Sequence, residues 1–110
     1  MKLIAIDMDG TLLNNESKIS SYNKNIVKKV SKENMVILAS GRPFKSLLVF
    51  IKELSINSVN NFSIAYNGAM IVNNGTHEII YKHLLNSNIV KKCYELSLEL
   101  NVGLFAYNEN

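Results

Sequence analysis

The chain is poor in residues that staple, kink or concentrate charge: its 110 residues include one cysteine, one proline, one arginine and two aspartates. The lone cysteine, Cys93, excludes an internal disulfide framework and suits a reducing, cytoplasmic setting. No apolar run approaches the length of about 20 residues that spans a membrane. The apolar run near the start, Leu3 to Ile6, is too short for a signal-peptide core and is stopped by Asp7. No aromatic residues interleave with the lysines, as a single-strand binder would need. The net charge of +3 and pI near 9.0 therefore carry little weight for nucleic acid. Lys24, Lys28, Lys29 and Lys32 recur at helical spacing, the pattern of a solvated face.

What remains is an ordinary globular composition, 47% hydrophobic and 19% charged, at a length that suits one small domain. No repeat, low-complexity linker or compositional boundary divides it. Scarcity makes the exceptions informative. The two aspartates are Asp7 and Asp9, in the run DMDGT; the single arginine and proline are adjacent, Arg42 and Pro43, in SGRP.

The apolar run Lys2 to Ile6 reads as a buried strand closed by a turn at Asp9-Gly10. Leu12 to Ser20 is polar and irregular. A helix then starts near Ser20 or Ser21, either able to cap it, with Tyr22, Ile26, Val27 and Val30 as its apolar stripe. Met35 to Ala39 reads as a second strand, and a second helix carries Leu47, Leu48, Ile51 and Leu54, with Pro43 in its first turn. Phe62 to Tyr66 is a third strand ending at Asn67-Gly68. Ala69 to Val72 and Glu78 to Lys82 flank Asn73-Asn74-Gly75 as a hairpin with an Asn-Gly turn. A third helix starts near Ser87 with Ile89, Cys93, Leu96 and Leu100 on one face, and Gly103 to Tyr107 resembles a last strand.

Strands alternating with helices imply an α/β fold, a parallel sheet with right-handed crossovers, whose ligands bind beyond the carboxyl ends of the strands. Asp7–Thr11, Ser40–Arg42 and Asn67–Gly68 each follow a predicted strand, so topology alone puts them at one edge.

Asp7 and Asp9, two residues apart at a strand end, can face the same side. Two carboxylates this close do not both ionise comfortably without a cation or proton between them. One can bind a metal and act as nucleophile; the other can hold a raised pKa and serve as acid, then base. Gly10 permits a turn that aims backbone amides at an anion, and Thr11 adds a hydroxyl. Ser40 and Gly41 offer a hydroxyl and an unhindered amide to a phosphoryl oxygen beside a helix start, although Ser-Gly there is also a common plain turn. Arg42 can bind phosphate or carboxylate bidentately, or simply sit on the surface. Asn67 and Gly68 either approach a substrate or only turn the corner before the hairpin. His77, His83 and Cys93 lack metal-ligand spacing, and Cys93 on its apolar stripe reads as a core thiol.

In this order and spacing, DMDGTLL, ILASGRP and AYNGA resemble the haloacid dehalogenase (HAD) superfamily, and within it the Cof-type sugar-phosphatase branch. The resemblance covers essentially the whole chain. It implies a doubly wound, three-layer Rossmann-like α/β core over residues 1–83 and the start of an α/β cap over residues 84–110. It also implies an Mg²⁺-dependent phosphohydrolase acting on small phosphorylated metabolites, sugar phosphates foremost. By that analogy Asp7 attacks phosphorus and ligates Mg²⁺. Asp9 protonates the leaving oxygen, later activates water, and ligates the metal through its carbonyl. Ser40 and the Gly41 amide hold the phosphoryl oxygens next to the Gly10–Thr11 turn, with Arg42 and Asn67 near the substrate.

The family also uses a lysine and a later acidic segment, neither of which is found here. The expectation is therefore an amino-terminal fragment, inactive alone, whose unfinished cap exposes apolar surface and favours self-association. Two rivals stand beside the phosphatase: an incomplete unit that holds phosphate or metal weakly, and a sugar phosphomutase.

Overall fold

The computed structural model describes residues 1–108. Five strands form one sheet in the order β1 (Leu3–Asp7), β2 (Met35–Ala39), β3 (Phe62–Ala65), β4 (Met70–Asn73) and β5 (Ile79–Lys82). The first three run parallel, while β4 is antiparallel to β3 and β5 antiparallel to β4, so the sheet is mixed rather than wholly parallel. Helices α1 (Ser21–Val30) and α2 (Phe44–Glu53) make the two crossovers, and α3 (Ser87–Glu99) follows β5.

Register places the expected edge. Asp7 is level with Ala39, and Ala39 with Ile64. Three parallel strands therefore end together, and their loops emerge side by side.

Both crossovers step in the same direction across the sheet, which puts their helices on one face when both are right-handed. The core agrees: Val36 and Leu38 of β2 cluster with Val27 of α1 and with Leu47, Phe50 and Ile51 of α2. A third layer needs cover on the other face, which α1 and α2 do not provide.

Local chemistry explains most boundaries. Ser20 caps α1 by accepting from the Asn23 amide at 3.1 Å, and Asn86 caps α3 through the Asn88 amide at 2.8 Å. Pro43 stands at the α2 cap position with extended ψ (145°), one residue ahead of the first turn where its fixed φ was expected. The irregular stretch before α1 is a small closed loop. Leu13 bridges Ile19, Asn14 Oδ1 accepts from the Glu16 and Lys18 amides, and Leu12, Leu13 and Ile19 are buried.

Five expectations give way. β1, read as a buried strand, holds no fully buried residue, and Leu3 and Ala5 are exposed. In α1 only Val27 of the predicted stripe is fully buried; Tyr22 and Ile26 are exposed. The hairpin loop runs from Asn74 to Glu78, and its left-handed residue is His77 (φ 61°), not Asn74 or Gly75. A tight Asn-Gly hairpin turn needs positive φ at both central residues. Gly75 is required for space instead, because a Cβ there would lie 2.6 Å from the Val59 amide nitrogen. On α3, Ile89, Cys93, Leu96 and Leu100 are all exposed, so Cys93 is not a core thiol. Residues 103–107 form no strand.

An amphipathic stripe shows that a helix has an apolar side; it does not supply the surface that side would pack on. The radius of gyration, 16.2 Å against about 13 Å for a compact domain of this length, records the same thing.

Candidate active site

β1 delivers Asp7 to the sheet edge, and the chain then coils through Met8–Leu12. Met8 is fully buried and anchors this loop in the core, which leaves its neighbours Asp7 and Asp9 facing solvent. The loop closes with Leu13 N donating to Met8 O at 2.9 Å. Gly10 adopts φ 77° with open space where a Cβ would stand, so the backbone conformation, not crowding, demands glycine. Thr11 Oγ1 donates to Asp7 Oδ2 at 2.9 Å, which orients that carboxylate and leaves its other oxygen open.

The second loop is built around Ser40. Its amide donates to Ile64 O, its hydroxyl oxygen accepts from the Arg42 amide at 3.1 Å, and its carbonyl accepts from Asn67 N. Ser40 is buried, yet its hydroxyl proton remains available for an anion. Arg42 O accepts from Tyr66 N, so the second and third loops are fastened together. A Cβ on Gly41 would come 2.7 Å from Asn67 Oδ1: the Asn67 carboxamide lies against the bare Gly41 backbone. Tyr66, Asn67 and Gly68 all have positive φ (52°, 55° and 93°), a strained corner held by these bonds.

The first and second loops meet through charge. Arg42 Nε and Nη2 donate to the two Asp9 oxygens at 2.8 and 2.6 Å, a bidentate pair. The guanidinium lies 5.6 Å from the Phe50 ring centroid. The hydrogen bond and charge of Arg42 hold the Asp9 carboxyl below its usual 3.8, and Asp9 raises Arg42 in turn. A raised pKa was the expectation for one member of the aspartate pair; at Asp9 the direction is the reverse, because its partner is a cation.

The structure thus brings all the expected site residues, Asp7, Asp9, Gly10, Thr11, Ser40, Gly41, Arg42 and Asn67, to one edge. His77 instead packs edge-on against Phe44, and Cys93 sits out on α3. Sequence reasoning missed Met8 as the anchor, the strain at Tyr66 and the Asp9–Arg42 pair. The signal for the pair was present, since a chain with one arginine and two aspartates offers few such matches.

Among the described residues no group of three His, Cys, Asp or Glu side chains is placed to hold a metal. The chemistry of the donors nevertheless suits a hard cation. The Asp7 carboxylate is exposed and half-open, and oxygen is the ligand Mg²⁺ takes; the Asp9 carboxylate is engaged elsewhere, which leaves its backbone carbonyl.

An exposed carboxylate at the end of a parallel strand, oriented by a neighbouring hydroxyl and set beside the Ser40-Gly41 loop, puts polar groups at the strand-end edge where α/β folds bind their ligands. The chain belongs to the haloacid dehalogenase-like hydrolase family, which matches residues 4–110. YxeH of Bacillus subtilis is 33% identical over 110 residues, covering 99% of this chain and 41% of that protein. The 5-amino-6-(5-phospho-D-ribitylamino)uracil phosphatase YcsE of the same organism is 30% identical, covering 100% of this chain and 43% of that protein. A haloacid dehalogenase-like hydrolase from Bacteroides thetaiotaomicron superposes with a TM-score of 0.79 at 34% identity, over 91% of this chain and 38% of that one. The HAD subclass IIB sugar phosphatase BT4131 gives a TM-score of 0.71 at 26% identity, over 91% and 38%. The chain spans about two fifths of the length of the relatives it matches.

Proposed function

We propose that this chain carries the nucleophile-bearing part of an Mg²⁺-dependent phosphatase of small phosphorylated metabolites, sugar phosphates foremost. The observation that carries the reading is the Asp7 carboxylate at the end of β1, oriented by Thr11 beside the Ser40–Gly41 cradle. The sugar-phosphatase and ribityl-uracil-phosphatase names of its relatives point to the same substrate class.

The open oxygen of Asp7 attacks phosphorus, and the ester bond to the leaving oxygen breaks. Asp9, once it has taken a proton from solvent or from the entering phosphate monoanion, delivers it to that oxygen. Water then attacks the phosphorus of the aspartyl-phosphate with Asp9 taking its proton, which frees phosphate and restores Asp7. Ser40 Oγ–H and the Gly41 amide hold the phosphoryl oxygens where negative charge develops, with the Gly10–Thr11 turn, Arg42 and Asn67 lining the approach. Mg²⁺, held by the Asp7 carboxylate and the Asp9 carbonyl, would neutralise phosphoryl charge.

A second reading rests on the donor count. With no aspartate besides Asp7 and Asp9, this stretch by itself would hold Mg²⁺ and phosphate only weakly, and turnover would need residues supplied from elsewhere. We read residues 1–83 as part of the catalytic core and 84–110 as the start of a cap. The exposed apolar stripe of α3 supports that division and favours self-association. The lone cysteine fits a cytoplasmic protein.

An aryl-phosphate assay with Mg²⁺ on this chain and on a carboxyl-extended version separates the readings. Ordinary turnover by the 110-residue chain, lost in Asp7→Asn, overturns the incomplete reading. An inert extended version overturns the phosphatase reading. Isomerised product from a sugar bisphosphate identifies a mutase.

A further inference from the structure

The two Arg42 donors that face the first loop, Nε and Nη2, are both committed to Asp9. Two parallel N–H groups toward two oxygens of one anion is also how a guanidinium grips a phosphoryl group. One fork cannot do both at once. The Arg42 backbone is tied at both ends: its amide donates to Ser40 Oγ and its carbonyl accepts from Tyr66 N. The side chain is held by its pair with Asp9 and by the Phe50 ring, 5.6 Å from the guanidinium. Arg42 is 30% exposed and Asp9 56%, so water screens their attraction and either partner can be exchanged. The pivot lies next to the cradle, since Ser40 and Gly41 are the two residues preceding Arg42.

We propose that Arg42 is an exchangeable clamp, holding Asp9 while the site is empty and passing its fork to the phosphoryl group of an entering ester. The transfer releases the Asp9 carboxylate toward the leaving oxygen, so one residue links anion arrival to the freeing of Asp9. The inference rests on the phosphate reading of Ser40 and Gly41 given above. It assigns to Asp9 a role outside proton transfer: in the empty site its carboxylate is an internal competitor for the anion that Arg42 will bind.

The test is inorganic phosphate binding, by calorimetry or phosphorus NMR, to four forms of the chain: wild type, Asp9→Asn, Arg42→Ala and the double variant. Removing a nearby negative charge raises anion affinity whether or not a clamp exists, so the decisive quantity is the coupling between the two changes. The clamp predicts that Arg42→Ala weakens phosphate binding little while Asp9 is present and about tenfold in the Asp9→Asn background. Arg42→Lys in that background keeps the charge but not the fork and recovers only part of the loss. Equal losses in both backgrounds overturn the clamp and leave the cradle reading standing. Absence of phosphate binding in all four forms overturns both. The Arg42 Nε–H resonance gives a second readout: it should shift on phosphate addition, and shifts confined to the Ser40 and Gly41 amides also overturn the clamp.

Discussion

Gly75→Ala tests the packing argument at one atom. A Cβ there would lie 2.6 Å from Val59 N, 2.7 Å from the Ser58 carbonyl carbon and 3.0 Å from its oxygen. Ordinary contact begins at 3.4 Å, so one of the two segments must retreat by about 0.8 Å. The obstacle is backbone, which cannot rotate aside as a side chain would. The segments are also tied together: Asn73 Nδ2 donates to Val59 O and Asn74 Nδ2 to Ile56 O, both at 2.8 Å, while Asn73 Oδ1 accepts from the Gly75 and Thr76 amides.

Overpacking of this kind costs about 1–3 kcal/mol. Loosening one or two of the asparagine bonds adds about 1 kcal/mol each, and the stiffer unfolded chain of the alanine form returns about 0.4–1 kcal/mol. The expected net loss is about 2–4 kcal/mol, a drop in Tm of roughly 10 °C or more. Gly103→Ala is the control. Its Cβ would meet nothing within 4 Å, and the change should stay within about 0.5 kcal/mol. Urea unfolding followed by far-ultraviolet circular dichroism suits a chain without tryptophan. Coincident urea midpoints for the two variants would refute the reasoning.

Three further outcomes are expected. Ser20→Ala removes the α1 cap and should cost about 1 kcal/mol in the same unfolding measurement, with Ser20→Asn retaining most of the stability. The Asp9 carboxyl should titrate by NMR below 3.8 and move up toward that value in Arg42→Ala. Because the folded value is depressed, the stability from this pair is present above the unfolded pKa and lost as pH falls through the lowered one. Cys93 should react with a thiol reagent at one equivalent per chain without denaturant; labelling only after unfolding would contradict its exposure on α3.

Much of this protein can be read along the chain, and what can be read is local. β2 begins and ends where its apolar run does, Met35 to Ala39. α1 starts at the serine able to cap it. Asp7, Ser40 and Asn67 follow apolar runs at turn-forming residues, enough to put them at one edge before any distance is known. Periodicity, capping and turn chemistry act over a few residues, so a few residues record them.

What escaped depends on neighbours distant in sequence. The stripe of α3 predicts an apolar face but not whether anything lies on it, and Ile89, Leu96 and Leu100 stand exposed. Asn74-Gly75 has the composition of a tight turn, yet its conformation follows the loop at Ser58 and Val59 that crosses it. Asp9 and Arg42 are 33 residues apart, and only the register of β1 against β2 brings their loops within reach. By itself, then, the sequence determined the five strands of the sheet, the three helices and the identity of the groups at their ends, because those follow from covalent neighbours and short-range hydrogen bonds. It also suggested a strand at 103–107 that does not form. Tertiary structure alone decided which of those groups touch: Thr11 on Asp7, Arg42 on Asp9, Asn67 on Gly41. A side chain's ionisation and reach depend on the atoms that folding places around it.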